Sequence, residues 1–109
     1  MREAAVAASQ PYDFILSPTS PIVAYEATLP APGNDSHDAL PHIAFTVPYN
    51  MSEQPAASVN WSYSADGLPI GTHWVARFGD EATLFRLAGQ LEAARPWAGR
   101  RPPLSADVA

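Results

Sequence analysis

Cysteine and lysine are both missing from the 109 residues. Without cysteine there is no disulfide framework, no thiol nucleophile and no cysteine-rich zinc site, and the compartment is left open. Without lysine every cation is an arginine: Arg2, Arg77, Arg86, Arg95, Arg100 and Arg101. These six are outweighed by acids, giving a formal net charge of -5, and they form no basic stripe. A phosphate backbone is bound through clustered cations, so nucleic acid is excluded as a direct partner. Long apolar runs are also lacking, and no segment approaches the length of a membrane-spanning helix. The first ten residues are too weakly apolar, with Glu3 early in the run, for a secretory leader. A soluble, cytoplasmic protein with no membrane partner is the expectation.

What is present fits one globular unit. A hydrophobic fraction of 47% belongs to folded chains, and a domain of this length buries roughly two thirds of its unfolded surface. Twelve prolines are unevenly spread and leave one proline-free window, Ile70 to Arg95, where a long helix can form.

Residues 1–10 are alanine-rich and stop at Pro11, which reads as the last turns of a helix whose start lies outside the chain. Residues 12–17 are a compact apolar run ending at Ser17-Pro18, as expected of a strand buried on both faces. Residues 28–42 carry no period and read as a long loop. A short helix is expected within 43–54, its first turn tolerating Pro48. Two strand-like runs within 56–78 flank Ala65-Asp66-Gly67, and the Asp-Gly step predicts an antiparallel hairpin. Asp80 offers an N-cap for a helix over 81–95, with Leu84, Leu87, Ala88, Leu91 and Ala94 on one face and Pro96 as its stop. Residues 96–109 read as a surface strap docking through Trp97.

Read in order, four segments resemble the carboxy-terminal part of the amidase signature family. They are Tyr12-Asp-Phe-Ile-Leu-Ser-Pro-Thr19, Phe45-Thr-Val-Pro-Tyr-Asn50, Gln54-Pro-Ala-Ala-Ser-Val59 and Gly67-Leu-Pro-Ile-Gly71, the last running on to Ala88. Two positions depart from the family pattern: Glu53 stands where glycine is frequent, and Asn60 where proline is frequent. The resemblance implies an α/β fold, a part of the amidase fold: a mixed β-sheet segment with an antiparallel hairpin and a carboxy-terminal amphipathic helix. It implies amide hydrolysis or transfer by a serine nucleophile, a second serine and a lysine base, without any cofactor. The family acts on aliphatic, aryl and fatty amides, ureas and glutamine formation on transfer RNA, and nothing here selects among these. A serine hydroxyl needs a base and backbone donors for the oxyanion. A lysine-free chain without a glycine-serine loop supplies neither, so no catalytic residue is assigned. The family's matching stretch lies near the substrate pocket, which makes Thr46 and Tyr49 candidates to line an acyl channel. Alternatively, Thr46 and Asn50 fix a turn through side-chain to backbone hydrogen bonds.

Other sites compete. Ser58 or Ser62 with His73 and Asp66 has the composition of a hydrolase triad, but no nucleophile elbow surrounds either serine. His37, His42 and His73 with Asp35 or Asp38 have ligand chemistry without ligand spacing, so no metal is expected. Asn34, Asn50 and Asn60 head glycosylation sequons that a chain without a leader does not use. Trp61, Trp74 and Trp97 read as core packing before an aromatic platform. The expected product is an inactive scaffold. Its partner is an amidase amino-terminal portion or a second copy, unless the chain is a gene remnant.

Overall fold

The computed structural model describes residues 2–33, 37 and 39–103. Among them the elements are α1 (Arg2–Ser9), β1 (Phe14–Pro18), α2 (Ala39–His42), α3 (Val47–Ser52), β2 (Ala56–Tyr63), β3 (Pro69–Ala76) and α4 (Glu81–Ala94). Among the described residues no helix is long and apolar enough to cross a membrane.

The hairpin is the organising unit. Gly67 N–H donates to the Ser64 carbonyl and Ser64 N–H to the Leu68 carbonyl, while Gly67 sits at a φ of 83°. This is the pattern of a three-residue hairpin loop closed by a left-handed glycine, and a side chain at Gly67 would strain it. The Ser64 hydroxyl accepts from Leu68 N–H and ties the loop down. β2 then pairs antiparallel with β3, Ser58 opposite His73 and Asn60 opposite Gly71, with a bulge at Trp61 before Ser62 meets Ile70. A proline, which cannot donate to a ladder, is tolerated at such a bulge on an edge strand. The side chain of Asn60 instead donates to the Tyr63 hydroxyl.

β1 adds to the other side of β3, giving the order β1-β3-β2 with both pairs antiparallel. The described strands thus contribute antiparallel neighbours alone to the expected mixed sheet. The expectation that β1 is buried on both faces fails within this chain, because Leu16 is 56% exposed. β1 is an edge strand, and Leu16 stays more than half exposed on it. Its entry is latched by Arg77, which donates to the Tyr12 carbonyl and to the Asp13 carboxylate.

α4 packs on β2 and β3. Its first turn is capped as the sequence suggests: the Asp80 carboxylate accepts from Thr83 N–H at 3.3 Å. That hydrogen bond holds the Asp80 carboxyl below the usual aspartate range. Leu84 is buried and Leu87, Ala88 and Leu91 are half-buried, whereas Ala94, expected on the same face, is exposed. Val59 and Ala76 are buried on one face of the sheet and Val75, two positions from His73, on the other, so the small core lies on both sides of the hairpin.

The remaining helices are short. α3 covers 47–52 of the span 43–54, with Thr46 at its N-cap and Glu53 closing it at a left-handed φ of 59°. The expected loop 28–42 ends in α2, whose Pro41 lies in the first turn, where a missing N–H removes no helical bond. α1 packs on α3, and Arg2 donates to the Ser52 carbonyl and pairs with Glu53. The radius of gyration is 15.9 Å, against roughly 13 Å for a compact domain of this length. One small core therefore carries several loosely gathered segments.

Candidate functional site

Residues opposite one another in an antiparallel pair share a face of the sheet. The register places Ser17 of β1, His73 of β3 and Ser58 of β2 in one row. The Ser17 hydroxyl stands 3.3 Å from His73 Nδ1, and the Thr19 and Ser58 hydroxyls meet at 2.7 Å. They meet across Gly71, where an added Cβ would lie 2.6 Å from the Ser58 oxygen and 2.7 Å from that of Thr19. The absence of a side chain at Gly71 is what lets this polar row close. Tyr49 of α3 covers it, its ring centroid 5.6 Å from that of His73.

His73 is buried, and desolvation pushes its pKa below the ordinary histidine value, so the imidazole is neutral at pH 7. A neutral imidazole among hydroxyls can offer hydrogen bonds to a ligand. It is not a triad: no carboxylate bonds to His73 among the described residues, and its partner is Ser17, with neither Ser58 nor Ser62 bonded to it. Ser58 is engaged by Thr19, Ser62 lies opposite Ile70, and Asp66 is held in the hairpin loop. The residues weighed for a triad are thus not brought together.

Behind the row lies a buried polar lock. Gln54 donates to the Ser9 hydroxyl at 2.9 Å and to the Ala76 carbonyl at 3.3 Å, and its carbonyl faces the Ser52 hydroxyl at 3.1 Å. Ser9, Ser52 and Gln54 are all buried, so each bond replaces one that water would otherwise make. The lock joins α1, α3 and β3 and so fixes where Tyr49 sits.

Of the two candidate lining residues, Thr46 uses its hydroxyl to donate to the Ile43 carbonyl at 3.1 Å, while Tyr49 packs on His73. Asn50 is exposed and contributes its backbone N–H, not its side chain, to the turn. His42 and His73 pack on different rings: His42 lies edge-on to Tyr25, and His73 is tilted against Tyr49. No metal-holding group of three occurs among the described residues, and Asp35, Asp38 and the Asn34 sequon lie outside them. Trp74 meets Phe14 in the sheet, whereas Trp61 and Trp97 line one cleft beside Arg95.

Ser17, Thr19 and Gln54 were not singled out as site residues by the sequence. Ser17 shares a strand face with Ile15, and that alternation was the available signal. The Gln54 contacts cross up to 45 positions and leave no local trace.

The Amidase family model matches residues 1–85. A 6-aminohexanoate-cyclic-dimer hydrolase of Paenarthrobacter ureafaciens is 52% identical over 66 residues, covering 61% of this chain and 13% of that protein. An acylamidase of Rhodococcus erythropolis is 37% identical over 102 residues, covering 90% of this chain and 21% of the relative. The solved structure of a 6-aminohexanoate cyclic dimer hydrolase with its substrate superposes with a TM-score of 0.81 at 35% identity. It covers 94% of this chain and 23% of that one. The chain thus spans about an eighth to a quarter of the length of the proteins it matches. Sequence and fold agree, and the chain belongs to the amidase family.

Proposed function

We propose that the chain is the carboxy-terminal segment of an amide-bond hydrolase, where it scaffolds the sheet and builds one wall of the substrate pocket. The observation that carries this reading is the uneven coverage: 94% of this chain superposes on 23% of a hydrolase. The side-chain inventory supports it, since a chain with no lysine does not supply the base that the family uses. In this reading Tyr49 faces the substrate over His73, its hydroxyl unengaged among the described residues, and Thr46 orients α3 and presents its methyl group. The partner is the remainder of an amidase, in the cytoplasm, without nucleic acid or membrane. The segment is inactive by itself. Purified chain incubated with simple aryl and aliphatic amides is expected to give no turnover. Turnover abolished by a serine-directed inhibitor overturns the proposal.

A second reading, a non-catalytic interaction module, draws on the sheet edges. The outer edges of β1 and β2 have no strand partner among the described residues, and such edges seek one. Light scattering on the purified chain separates the readings. A concentration-dependent dimer favours self-association, and a monomer that binds an amidase amino-terminal portion favours the first.

A further inference from the structure

The six arginines divide into two kinds. Arg2 and Arg77 are ion-paired with Glu53 and Asp13, whereas Arg86, Arg95, Arg100 and Arg101 have no carboxylate partner among the described residues, the last three gathered beside Trp61 and Tyr63. In a chain of net charge -5 that is a local surplus. The surplus is ordered. Arg100 lies 3.4 Å from the centroid of the Tyr63 ring, and Arg95 lies 5.3 Å from that of Trp61. A backbone bond from Arg100 N–H to the Trp97 carbonyl, 2.9 Å, shapes the strap that carries it. The Asn60 amide holds the Tyr63 hydroxyl at 2.7 Å and so sets the ring beneath the guanidinium.

Between this strap and the hairpin loop lies a cleft of about 530 Å³, a size that suits a small ligand. Tyr63, Leu68 and Pro69 form one wall and Pro102 and Pro103 the other. Its charged lining residues are Arg100, Arg101 and Asp66, a net of +1. A guanidinium is a planar fork of donors that matches a carboxylate, and it keeps its charge at any working pH. The proline and aromatic walls suit an apolar body behind that carboxylate.

We propose that the cleft between the hairpin loop and the 96–103 strap binds an organic monocarboxylate with an apolar body. Its carboxylate sits on Arg100 and Arg101, and its chain lies against Tyr63 and the prolines. The site is separate from the polar row on β3 and does not depend on the chain taking part in amide hydrolysis. The carboxylate can come from a free acid or from an acidic side chain of a peptide.

Calorimetric titration of the purified chain tests this with hexanoate, hexanamide and a blocked Val-Glu-Val tripeptide. Saturable binding of hexanoate is expected, with hexanamide weaker by roughly tenfold or more, as befits a lost charge-assisted hydrogen bond. The Arg100→Ala, Arg101→Ala double variant is expected to lose about the same factor. Both side chains are exposed and lie outside the hairpin core, which circular dichroism of the double variant should show intact, and Arg86→Ala, outside the cleft, should bind as the parent does. Asp66→Asn should tighten hexanoate by removing the one opposing charge. A tripeptide that binds better than hexanoate makes the source a peptide, and the reverse makes it a free acid. The proposal is overturned if neither carboxylate saturates, if hexanamide binds as well as hexanoate, or if the double variant keeps full affinity.

Discussion

Between Ala56 and Ala94 the chain closes on itself, while between Ser20 and Thr46 it does not. The first region is a hairpin with a helix on it, and it holds the core residues Val59, Val75, Ala76 and Leu84. The second carries Ile22, Val23, Tyr25 and Leu40 as exposed large apolar side chains, with Ala31 as its buried residue among those described. Both regions are similarly apolar in composition. The hairpin and α4 are joined by short loops, so neighbours in sequence can bury each other. Residues 20–46 have no strand and one four-residue helix among the described positions, so most of their apolar side chains stay exposed even where, as with Tyr25 on His42, they touch a neighbour. A segment that spends so much apolar surface on solvent is built for contacts beyond itself.

The sharpest way to break that contrast is to truncate a leucine in each region. Leu84 is 8% exposed and Leu40 is 70% exposed. Leu84→Ala should cost about 2–5 kcal/mol, the range for a leucine removed from a packed core. Leu40→Ala should stay within about 0.5 kcal/mol in the isolated chain, as surface substitutions do. Urea denaturation followed by circular dichroism reads both. Equal losses would show that residues 20–46 share the core. An added amidase amino-terminal portion should raise the cost at Leu40 and leave that at Leu84 unchanged.

The same contrast governs what could be read in the sequence. The hairpin, its Asp66-Gly67 loop, the Asp80 cap and most of the α4 stripe are local signals, each set by a few neighbouring residues, and the structure has them. The polar row was only half legible. His73 was recognised as a strand residue, but its partner Ser17 lies 56 positions away and depends on β1 pairing with β3. The exposure of Leu16 was misjudged because an apolar run looks the same whether its second face is covered by this chain or by something else. The arginine surplus at the strap was visible as composition, but its stacking on Trp61 and Tyr63 depends on where the strap docks.

The polar row gives a smaller and pH-dependent test of the closed region. His73 has its pKa lowered by desolvation in the folded chain, while the unfolded chain takes up the proton near the ordinary value of about 6.5. Below that pH the unfolded state binds more protons than the folded one, so stability rises with pH across this window. Stability present at neutral pH is therefore lost as the pH falls from about 6.5 through the folded value. Melting temperatures measured from pH 7.5 down to pH 5 should decline for the parent, and His73→Gln should flatten the decline. An unchanged slope in the variant would remove His73 as its source.

The smallest effect expected lies at the junction of the two regions, at Glu53. Its φ of 59° puts a residue with a Cβ in the left-handed region at the end of α3, which costs about 1 kcal/mol relative to glycine. Glycine, the residue the resemblance implies at this position, carries no such cost. In partial compensation the Glu53 carboxylate pairs with Arg2, but both side chains are largely exposed, and such pairs contribute only about 0.2–1 kcal/mol. Arg2 also donates to the Ser52 carbonyl through its Nε, a bond that survives loss of the carboxylate. Glu53→Gly should therefore stabilise the chain by a few tenths of a kcal/mol, the difference between a strain relieved and a weak pair lost. High salt, which screens the pair but not the backbone strain, should narrow the contribution of Arg2 and enlarge the net gain. A loss of stability on Glu53→Gly at both low and high salt would mean that the ion pair, not the backbone, governs how α1 is held against α3.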